Sequence, residues 1–406
     1  MKSNYKRIGV YIELVDERNK ELNIDLLLGL SISKQFIPSV ANTIGANMKN
    51  YKIIRKGQFA CSIMQVRRDG KMPVALLEDY DEAIISQAYP VFKVIDETEL
   101  LPEYLMMWFS RCEFDRQATF HAVGGVRGSL DWDDFLDFEL PIPSIEKQQE
   151  IVDEYNTITN RIALNEQLNQ KLEETAQALY KHWFTDFEFP NDEGNPYKSS
   201  GGAMVYNEEL DTEIPEGWES GKWNKYVTLS QGQVINAKTR YLVVDKGLPL
   251  LKITDLFNDT ATMFIDEEKV NKKNLAKKDD LIYTRTGQVG YIFRNKEGVV
   301  YNNCFKIIPI ENQLSKEIIY WHFKDENVRN LMIELALGAA QADLTHTAFF
   351  TANIIKPHRK IQSSFSIISL KILREIFNNE LQIKRLIELK NLLLSKMTKV
   401  EEKIFS

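Results

Sequence analysis

The stretch ITNRIALNEQLNQKLEETAQALYKHW, residues 158–183, decides the architecture, because it has the pattern of one long helix with a heptad seam. Its seam residues recur at alternating intervals of four and three: Ile158, Ile162, Asn165, Asn169, Leu172, Ala176, Leu179 and Trp183. A second stretch repeats this spacing: Ile372, Ile376, Asn379, Ile383, Leu386, Lys390, Leu393, Met397, Val400 and Ile404. Seams of this kind predict that each helix packs against a partner helix.

The two helices are predicted to pair with each other. Both seams carry an asparagine at the matching position, Asn165 and Asn379, and a buried Asn can fix the register of paired helices. Because tandem repeats in one chain tend to pack about a pseudo-twofold axis, we expect an antiparallel coiled coil. In the alternative arrangement, each seam packs on its own globule.

An internal repeat organises the rest of the chain. A shift of 214 residues superimposes two sets of residues in the same order. The matched pairs are Gly124/Gly338, Leu130/Leu344, Phe135/Phe349, Pro143/Pro357, Ile158/Ile372, Ile162/Ile376, Asn165/Asn379, Leu172/Leu386 and Leu179/Leu393. Each half is therefore predicted to be a mixed α/β (α+β) globule followed by a long helix.

Turn-forming residues mark the boundaries of these regions. Pro141 and Pro143 close the first globule, Ser144 can cap the helix that follows, and Glu146 suits the positive end of its dipole. The predicted regions are a first globule (1–143), a first helical region (144–190), a linker (191–213), a second globule (214–357) and a second helical region (358–406).

Composition indicates a globular chain. With 406 residues, 44% hydrophobic and 27% charged, two or more folded domains are expected. Since no apolar run approaches the length of a membrane helix, neither export nor membrane spanning is expected. Cys61, Cys112 and Cys304 lie far apart, which favours a reducing cytoplasm over a disulfide framework.

Charge gives a mixed indication of nucleic-acid binding. The net charge of −7 counts against a DNA-binding protein. Basic residues are nevertheless clustered, and such patches attract phosphate locally, although a solvated charged face would look the same. The clusters are Lys49, Lys52, Arg55, Lys56, Arg67, Arg68 and Lys71 in the first half, and Lys272, Lys273, Lys277, Lys278 and Arg285 in the second.

Patterns of common catalytic sites are absent from the sequence. There is no phosphate-binding Gly-x-x-x-x-Gly-Lys-Ser/Thr loop, and no pair of histidines has zinc-hydrolase spacing. The segment Asn195-Pro196-Tyr197 has only one proline and reads as a turn, not as the base-holding loop of an adenine methyltransferase. We therefore expect no catalytic residue, metal or cofactor in this chain.

Three segments resemble a known family. LPIPSIEKQ (140–148), YKHWFTDFEFP (180–190) and IPEGWE (214–219) look like the recurring segments of specificity subunits of type I restriction-modification systems, in the same order. The resemblance covers essentially the whole chain. Two departures weaken residue-level transfer: the second proline signal is reduced to KPHRKIQ (356–362), and the first globule starts without an Ile-Pro-x-Gly-Trp segment.

The resemblance implies a non-catalytic subunit with two target recognition domains, each followed by a conserved helical region. Its implied partners are double-stranded DNA, two methyltransferase subunits that bind S-adenosylmethionine and methylate adenine N6, and motor-nuclease subunits as an optional addition. The helical regions would be the docking surface. Tyr180, Trp183 and Phe184 could anchor a partner there if exposed, while Trp183 could equally be buried within the chain's own helix pair.

Two segments have the side chains that address base edges in the major groove. The candidates are Ser62, Gln65, Arg67, Arg68 and Lys71 in the first half, and Thr284, Arg285, Thr286 and Gln288 in the second. Arg127, Gln231 and Gln233 are weaker candidates for phosphate contact. A surface hairpin without any ligand would have the same composition.

The seam also predicts a spacing between half-sites. Its 26 residues from Ile158 to Trp183 correspond to about 39 Å of helix, close to one turn of duplex. We expect two half-sites about one turn apart with an unread spacer. The rival hypotheses are a stand-alone DNA binder such as a repressor, and a coiled-coil scaffold whose globules bind proteins.

Overall fold

The computed structural model describes residues 5–39, 47–64, 66–123, 128–337 and 342–397. The chain divides into two compact units, which we call unit 1 (Met1–Leu164 with Gln382–Ser406) and unit 2 (Asn165–Leu381). Each unit therefore contains part of both long helices. Among the described helices, none is long and apolar enough to cross a membrane.

The described part of unit 1 contains two four-stranded sheets, a two-stranded sheet of β1 and β10, and a group of short helices. Its strands are β1 Tyr5–Arg7, β2 Ile12–Val15, β3 Leu27–Leu30, β4 Phe36–Pro38, β5 Lys52–Arg55, β6 Phe59–Cys61, β7 Val74–Leu76, β8 Glu82–Ile85, β9 Val91–Val94 and β10 Glu139–Pro141. Its helices are α1 Val66–Asp69, α2 Pro102–Phe109, α3 Cys112–His121, α4 Trp132–Leu136 and the start of α5 Ile145–Phe184.

One four-stranded sheet of unit 1 is antiparallel, in the order β2-β9-β6-β7, and the other is mixed, in the order β4-β3-β8-β5 with β3 parallel to β8. Burial explains why short apolar runs form these strands: every residue of β6 and of β7 is buried. Phe59 stacks on Phe92 at 5.0 Å, and both rings meet Phe109 of α2 edge-on. This aromatic cluster is the core that supports the loop after β6.

Unit 2 has the same kind of architecture. Its strands are β11 Met204–Asn207, β12 Thr212–Pro215, β13 Glu219–Lys222, β14 Val227–Gln231, β15 Val243–Val244, β16 Leu248–Leu251, β17 Phe264–Ile265, β18 Leu275–Ala276, β19 Leu281–Thr284, β20 Ile292–Phe293, β21 Gly298–Val300, β22 Cys304–Pro309 and β23 Asn353–Lys356. Its helices are α6 Ile253–Asn258, α7 Lys316–Lys324, α8 Glu326–Ala336, α9 His346–Phe349 and the first part of α10 Arg359–Lys396.

The connectivity of unit 2 repeats that of unit 1. An antiparallel sheet has the order β14-β22-β19-β20, and a mixed sheet has the order β15-β17-β16-β21-β18 with β16 parallel to β21. Helices α7, α8, α9 and α10 each begin 214 residues after α2, α3, α4 and α5. The matched residues Leu130 and Leu344 are both fully buried, as are Phe135 and Phe349. The mixed α/β globule predicted for each half is thus confirmed, and the repeat extends to the order of its elements.

A buried glutamine ties each globule to its long helix. In unit 1, Gln148 donates to the backbone oxygens of Glu99 (2.8 Å) and Pro143 (3.0 Å), and it accepts from the Leu101 amide (2.9 Å). In unit 2, Gln362 makes the same three bonds to residues exactly one repeat later: Gln313, Pro357 and Ser315. The second proline signal, although reduced in sequence, therefore keeps its glutamine's structural role.

The long helices begin and end as follows. Ser144 accepts a hydrogen bond from the Lys147 amide and caps α5, as predicted, and hydrogen bonds from Ser144 and from the backbone lower the pKa of Glu146. The helix α5 has 40 residues and extends beyond the seam toward the N-terminus, and α10 has 38. At 1.5 Å per residue α5 is about 60 Å long, longer than the 39 Å taken from the seam.

Side chains of α5 and α10 meet in both units, and in unit 2 they meet in reversed chain order. In unit 1, Lys390 lies over the ring of Tyr155 at 5.2 Å. In unit 2, Asn379 donates to Asn169 at 2.9 Å, and Trp183 packs on Phe365 at 5.9 Å. Every described seam residue is buried or half-buried: Ile158, Ile162, Asn165, Asn169, Leu172, Ala176, Leu179, Trp183, Ile372, Ile376, Asn379, Ile383, Leu386, Lys390, Leu393 and Met397. Val400 and Ile404 lie outside the described residues.

The aromatic residues near the end of α5 are buried, so the exposure needed for Tyr180 and Phe184 to anchor a partner is not found, and for Trp183 the alternative of burial is confirmed. Tyr180, Trp183 and Phe184 are 5–7% exposed and pack around Phe365 of α10. The reason is their position on the side of α5 that faces the core of unit 2. They stabilise unit 2 and are not free to anchor a partner.

The segment predicted as a linker is folded against unit 2. Tyr197 stacks on Phe189 at 4.5 Å, and Phe189 stacks on Trp218 at 4.9 Å. Residues 204–215 form the β11–β12 hairpin. Aromatic packing therefore orders a stretch whose Gly, Ser and Asn content indicates turns.

Candidate nucleic-acid interface

In unit 1 the candidate residues lie on the loop between β6 and β7. The backbone amide of half-buried Ser62 donates to Pro73 at 2.8 Å. The short helix α1 follows within the connection of the β6–β7 hairpin, and a surface hairpin without a ligand remains the alternative. Arg67, Arg68 and Lys71 are exposed. Gln65 lies outside the described residues.

Two backbone hydrogen bonds hold this loop. Leu130 donates to Ile63 at 2.9 Å, and Arg67 donates to Gly128 at 3.1 Å. Gly128 has a φ of +68°, and a Cβ at this position would lie 2.4 Å from the Cβ of Arg67. Only glycine therefore allows the two segments to approach this closely. Arg127, the neighbouring candidate, lies outside the described residues.

The cations of this loop differ in how they are neutralised. Arg68 forms an ion pair with Asp69 at 2.7 Å. Across the described ranges, neither Arg67 nor Lys71 makes a side-chain hydrogen bond or ion pair. Below them a buried ion pair joins Lys34 and Asp115 at 2.8 Å, and Asp115 also accepts from the Met72 amide. The loop thus presents two exposed cations that no described residue neutralises, which suits attraction of phosphate.

In unit 2 the candidate residues lie after β19, in the equivalent loop. Leu344 donates to Arg285 at 2.9 Å, and Gly287 donates to Ala342 at 3.2 Å. These two bonds match those of the unit 1 loop. Leu344 and Ala342 lie one repeat after Leu130 and Gly128, their counterparts in unit 1. Arg285 therefore corresponds to Ile63, and Gly287 corresponds to Arg67. The two loops occupy the same place in their units, but their arginines do not.

Arg285 is held by Asp343. The carboxylate accepts from Nε at 3.0 Å and from Nη2 at 2.6 Å, and it also accepts from the hydroxyl of Thr286 at 2.8 Å. Burial would raise the pKa of Asp343, but these hydrogen bonds outweigh it and hold the pKa below its ordinary value. Burial, and then the charge of Arg285, lower the pKa of nearby His346.

The two glutamines after β14 have different environments. Gln231 accepts from Nη1 of Arg285 at 2.9 Å and donates to the backbone of Asn302 at 2.7 Å. Gln233 accepts from Asn274 at 2.8 Å and belongs to a separate network. A Cβ on Gly232 between them would lie 2.2 Å from the oxygen of Tyr301, so the chain needs glycine there. Of these two glutamines, Gln231 is the one that contacts Arg285.

The remaining candidate residues of unit 2 differ in how exposed they are. Thr284 is fully buried, and its hydroxyl accepts from the Tyr291 amide at 2.9 Å, so it stabilises the β19–β20 hairpin. Gln288 is exposed at the hairpin's tip. The structure thus brings Gln231, Arg285 and Thr286 together around Asp343. We call these four residues the Arg285 cluster.

Sequence reasoning missed Asp343, which lies 58 positions from Arg285. It sits directly before Leu344, a residue of the repeat. Its matched residue in unit 1 is Ser129. A comparison of the two halves could therefore have identified Asp343, because an acid occurs there at a repeat position where the other half has none.

Comparisons with known proteins agree with this architecture. The family model described as type I restriction modification DNA specificity domain matches residues 49–174 and 215–391, together more than half of the chain. The MjaIX specificity subunit of Methanocaldococcus jannaschii is 25% identical over 319 residues, which is 75% of this chain and 70% of that protein. The HindI specificity subunit of Haemophilus influenzae is 23% identical over 408 residues, covering 85% and 86%.

A solved structure has the same fold. The S subunit of a type I restriction-modification system from M. genitalium aligns with a TM-score of 0.58 and 14% identity, over 97% of this chain and 95% of that one. The two matched regions of the family model include both candidate loops. The chain therefore belongs to the family of type I restriction-modification specificity subunits, proteins with DNA-recognition domains.

Proposed function

We propose that this chain reads a bipartite site on double-stranded DNA, one half-site with each unit, and carries adenine-N6 methyltransferase subunits to it. Two such subunits would bind S-adenosylmethionine and perform the methyl transfer, and motor-nuclease subunits would be added where the system cleaves. The chain itself supplies recognition and no catalytic group.

The observation that carries this proposal is the recurrence of one loop site in both units. Each loop follows the equivalent strand, β6 or β19, and is bracketed by equivalent backbone hydrogen bonds. The scaffold is the same, whereas the loop side chains differ: Arg67, Arg68 and Lys71 in unit 1, and the Arg285 cluster in unit 2. Two different loops on one repeated scaffold are suited to reading two different half-sites.

We further propose that α5 and α10 pair as an antiparallel coiled coil. The support is the reversed order of their contacts in unit 2, where Asn169 meets Asn379 and Trp183 meets Phe365. In unit 1, Tyr155 meets Lys390. The contact between the asparagine side chains of Asn379 and Asn169 would fix the register.

The long helices also have features of a surface for protein partners. Apolar side chains that are 41–60% exposed occur on α10 at Ile367, Leu370, Leu381 and Leu392, and on α5 at Leu164 and Leu168. Exposed apolar residues repeated along a helix are typical of a protein contact. They replace Tyr180, Trp183 and Phe184 as the residues expected to meet methyltransferase subunits.

Methylation mapping tests the proposal. The chain would be co-expressed with its cognate methyltransferase subunit, and N6-methyladenine would be mapped on a plasmid library by single-molecule sequencing. A two-part motif with an unread spacer is expected, with Arg67→Ala changing one part and Arg285→Ala changing the other. DNA binding without a methyltransferase complex would favour the stand-alone binder. A chain that binds proteins but not DNA would favour the scaffold.

Helix length gives a second test. Deleting seven residues from both α5 and α10 removes about 10 Å of helix, or roughly three base pairs of spacer at 3.4 Å each. A spacer that shortens by this amount supports the paired helices as a ruler. An unchanged spacer in a complex that still methylates would contradict it.

A further inference from the structure

The guanidinium of Arg285 has hydrogens that no described residue accepts. It carries five N–H donors. Asp343 lies along the side formed by Nε and Nη2, where Nη2 donates to both carboxylate oxygens, at 2.7 and 2.6 Å, and Gln231 accepts from Nη1. No other residue in the described ranges accepts a hydrogen bond from this guanidinium. Because a carboxylate on that side shares the one Nη2 hydrogen that faces it, the other Nη2 hydrogen and one of the two on Nη1 remain for a ligand.

The side chains of the ion pair are partly exposed. The side chain of Arg285 is 18% exposed, and that of Asp343 is 34% exposed. The arginine lies at the start of the β19–β20 loop, where the neighbouring Thr286 is half-buried and Gln288 is exposed. A ligand with two adjacent acceptors would therefore meet an arginine whose rotamer is already fixed, so little side-chain entropy is lost on binding.

The cluster belongs to unit 2 alone. Unit 1 has Ile63 at the position of Arg285 and Ser129 at the position of Asp343, although the backbone bonds around them are the same. Since the described residues of unit 1 form the same backbone bonds with Ile63 and Ser129 at these two positions, neither of which can form an ion pair, the pair is not required by the fold. A buttressed arginine at a candidate DNA-reading loop points instead to recognition.

We propose that Asp343 is a specificity-positioning residue, which holds Arg285 so that its free Nη1 and Nη2 hydrogens pair with the O6 and N7 acceptors of one guanine in the half-site read by unit 2. This inference rests on the proposed function and deepens it. Guanine is the base whose major-groove edge offers two adjacent acceptors, and arginine is its usual partner. A DNA phosphate offers similar acceptors but carries no base identity.

The test uses the methyltransferase complex and a plasmid library with both half-sites randomised. Four variants are compared with the parent chain: Arg285→Ala, Asp343→Asn, Asp343→Glu, and Ser129→Ala as the matched control in unit 1. Asp343→Asn keeps the shape of the side chain but loses the charge and one acceptor. The readout is the base preference at each position of both half-sites.

The expected result is a guanine preference at one position that falls about tenfold or more in Arg285→Ala and Asp343→Asn. Asp343→Glu should recover part of it, and Ser129→Ala should leave both half-sites unchanged. The base preferences of the half-site read by unit 1 should stay the same in every variant. They therefore serve as an internal control that the complex is folded.

Three outcomes would overturn the inference. Equal loss of methylation on all sequences in Asp343→Asn would indicate a structural role or a phosphate contact, and an unchanged motif would show that Asp343 does not act on recognition. Loss of preference for a base other than guanine would refute the pairing. A parent complex without a two-part motif would instead overturn the proposed function, and this inference with it.

Discussion

Units 1 and 2 share a scaffold and differ in the loop it carries. Both anchor a long helix through a buried glutamine with three identical backbone bonds, Gln148 or Gln362. In unit 1 the loop exposes Arg67 and Lys71, whereas in unit 2 Arg285 is fixed by Asp343 and Gln231. The comparison teaches that the repeat preserves the anchoring of the helix, while the side chains of the candidate loops differ between the units.

The largest effect is expected where the units are alike. Replacing Gln148 or Gln362 with Ala leaves buried backbone groups without partners, and it should lower the free energy of unfolding of its own unit by about 2–4 kcal/mol. Hydrogen exchange, read unit by unit, measures this. Gln149→Ala is the matched control, because Gln149 is exposed and should change stability by less than about 0.5 kcal/mol. Equal loss of protection in both units would contradict the assignment of one anchor to each unit.

A second effect should distinguish the units at low pH. Burial lowers the pKa of His322 to about 4, and its Nδ1 lies 3.0 Å from the hydroxyl of Tyr180. In the unfolded chain this histidine is protonated below about pH 6.5, whereas in the folded chain it stays neutral down to about pH 4. Its contribution to the free energy of unfolding is therefore complete above pH 6.5 and is lost as the pH falls toward 4. The loss should be on the order of 2 kcal/mol in unit 2.

Unit 1 has Trp108 at the matched position, which does not titrate. Urea unfolding at pH 7 and pH 5, followed by probes in each unit, checks the prediction, and His322→Gln should reduce the difference between the two pH values. Equal acid sensitivity of unit 2 in the parent and in His322→Gln would show that another group is responsible.

A smaller effect is expected in the helix pair of unit 2. Asn379→Ala removes the hydrogen bond to Asn169 and should cost about 1 kcal/mol. A double-mutant cycle with Asn169→Ala isolates the coupling between the two side chains. Exposed Asn378 provides the control, since its replacement by Ala should have little effect. A coupling energy of zero would show that the asparagine pair does not fix the register of the two helices.

The smallest effect on stability is expected in the loop of unit 1. Arg67→Ala should change the free energy of unfolding by less than about 0.5 kcal/mol. If Arg67 contacts a phosphate, the slope of log Kobs against log salt for DNA binding by the methyltransferase complex should fall by about 1. Arg68→Ala should alter the slope less, because Asp69 already neutralises Arg68. Equal slopes for parent and Arg67→Ala would exclude the phosphate contact.

The sequence predicted the features that depend on periodicity. The 214-residue shift, the seam residues and the cap at Ser144 follow from patterns of apolar side chains and turn formers, and these patterns determine burial directly. The burial of Tyr180 and Phe184 was missed because they flank the seam, and only the fold places Phe365 beside them.

The details of the candidate site depend on contacts distant in sequence. Asp343 and Arg285 meet because the segment before α9 crosses the loop after β19, which no local pattern encodes. Likewise the correspondence of Arg285 with Ile63 follows from hydrogen bonds to Leu344 and Leu130, not from residue type.

The paired backbone bonds around each loop have an evolutionary consequence. Residues 64–66 lie between the two anchors in unit 1, whereas Thr286 alone lies between them in unit 2. The same scaffold thus accepts loops of different length without moving its anchors. Insertions, deletions or exchange of this short segment by recombination would give new binding preferences while the rest of the protein, and every partner that depends on it, stays the same.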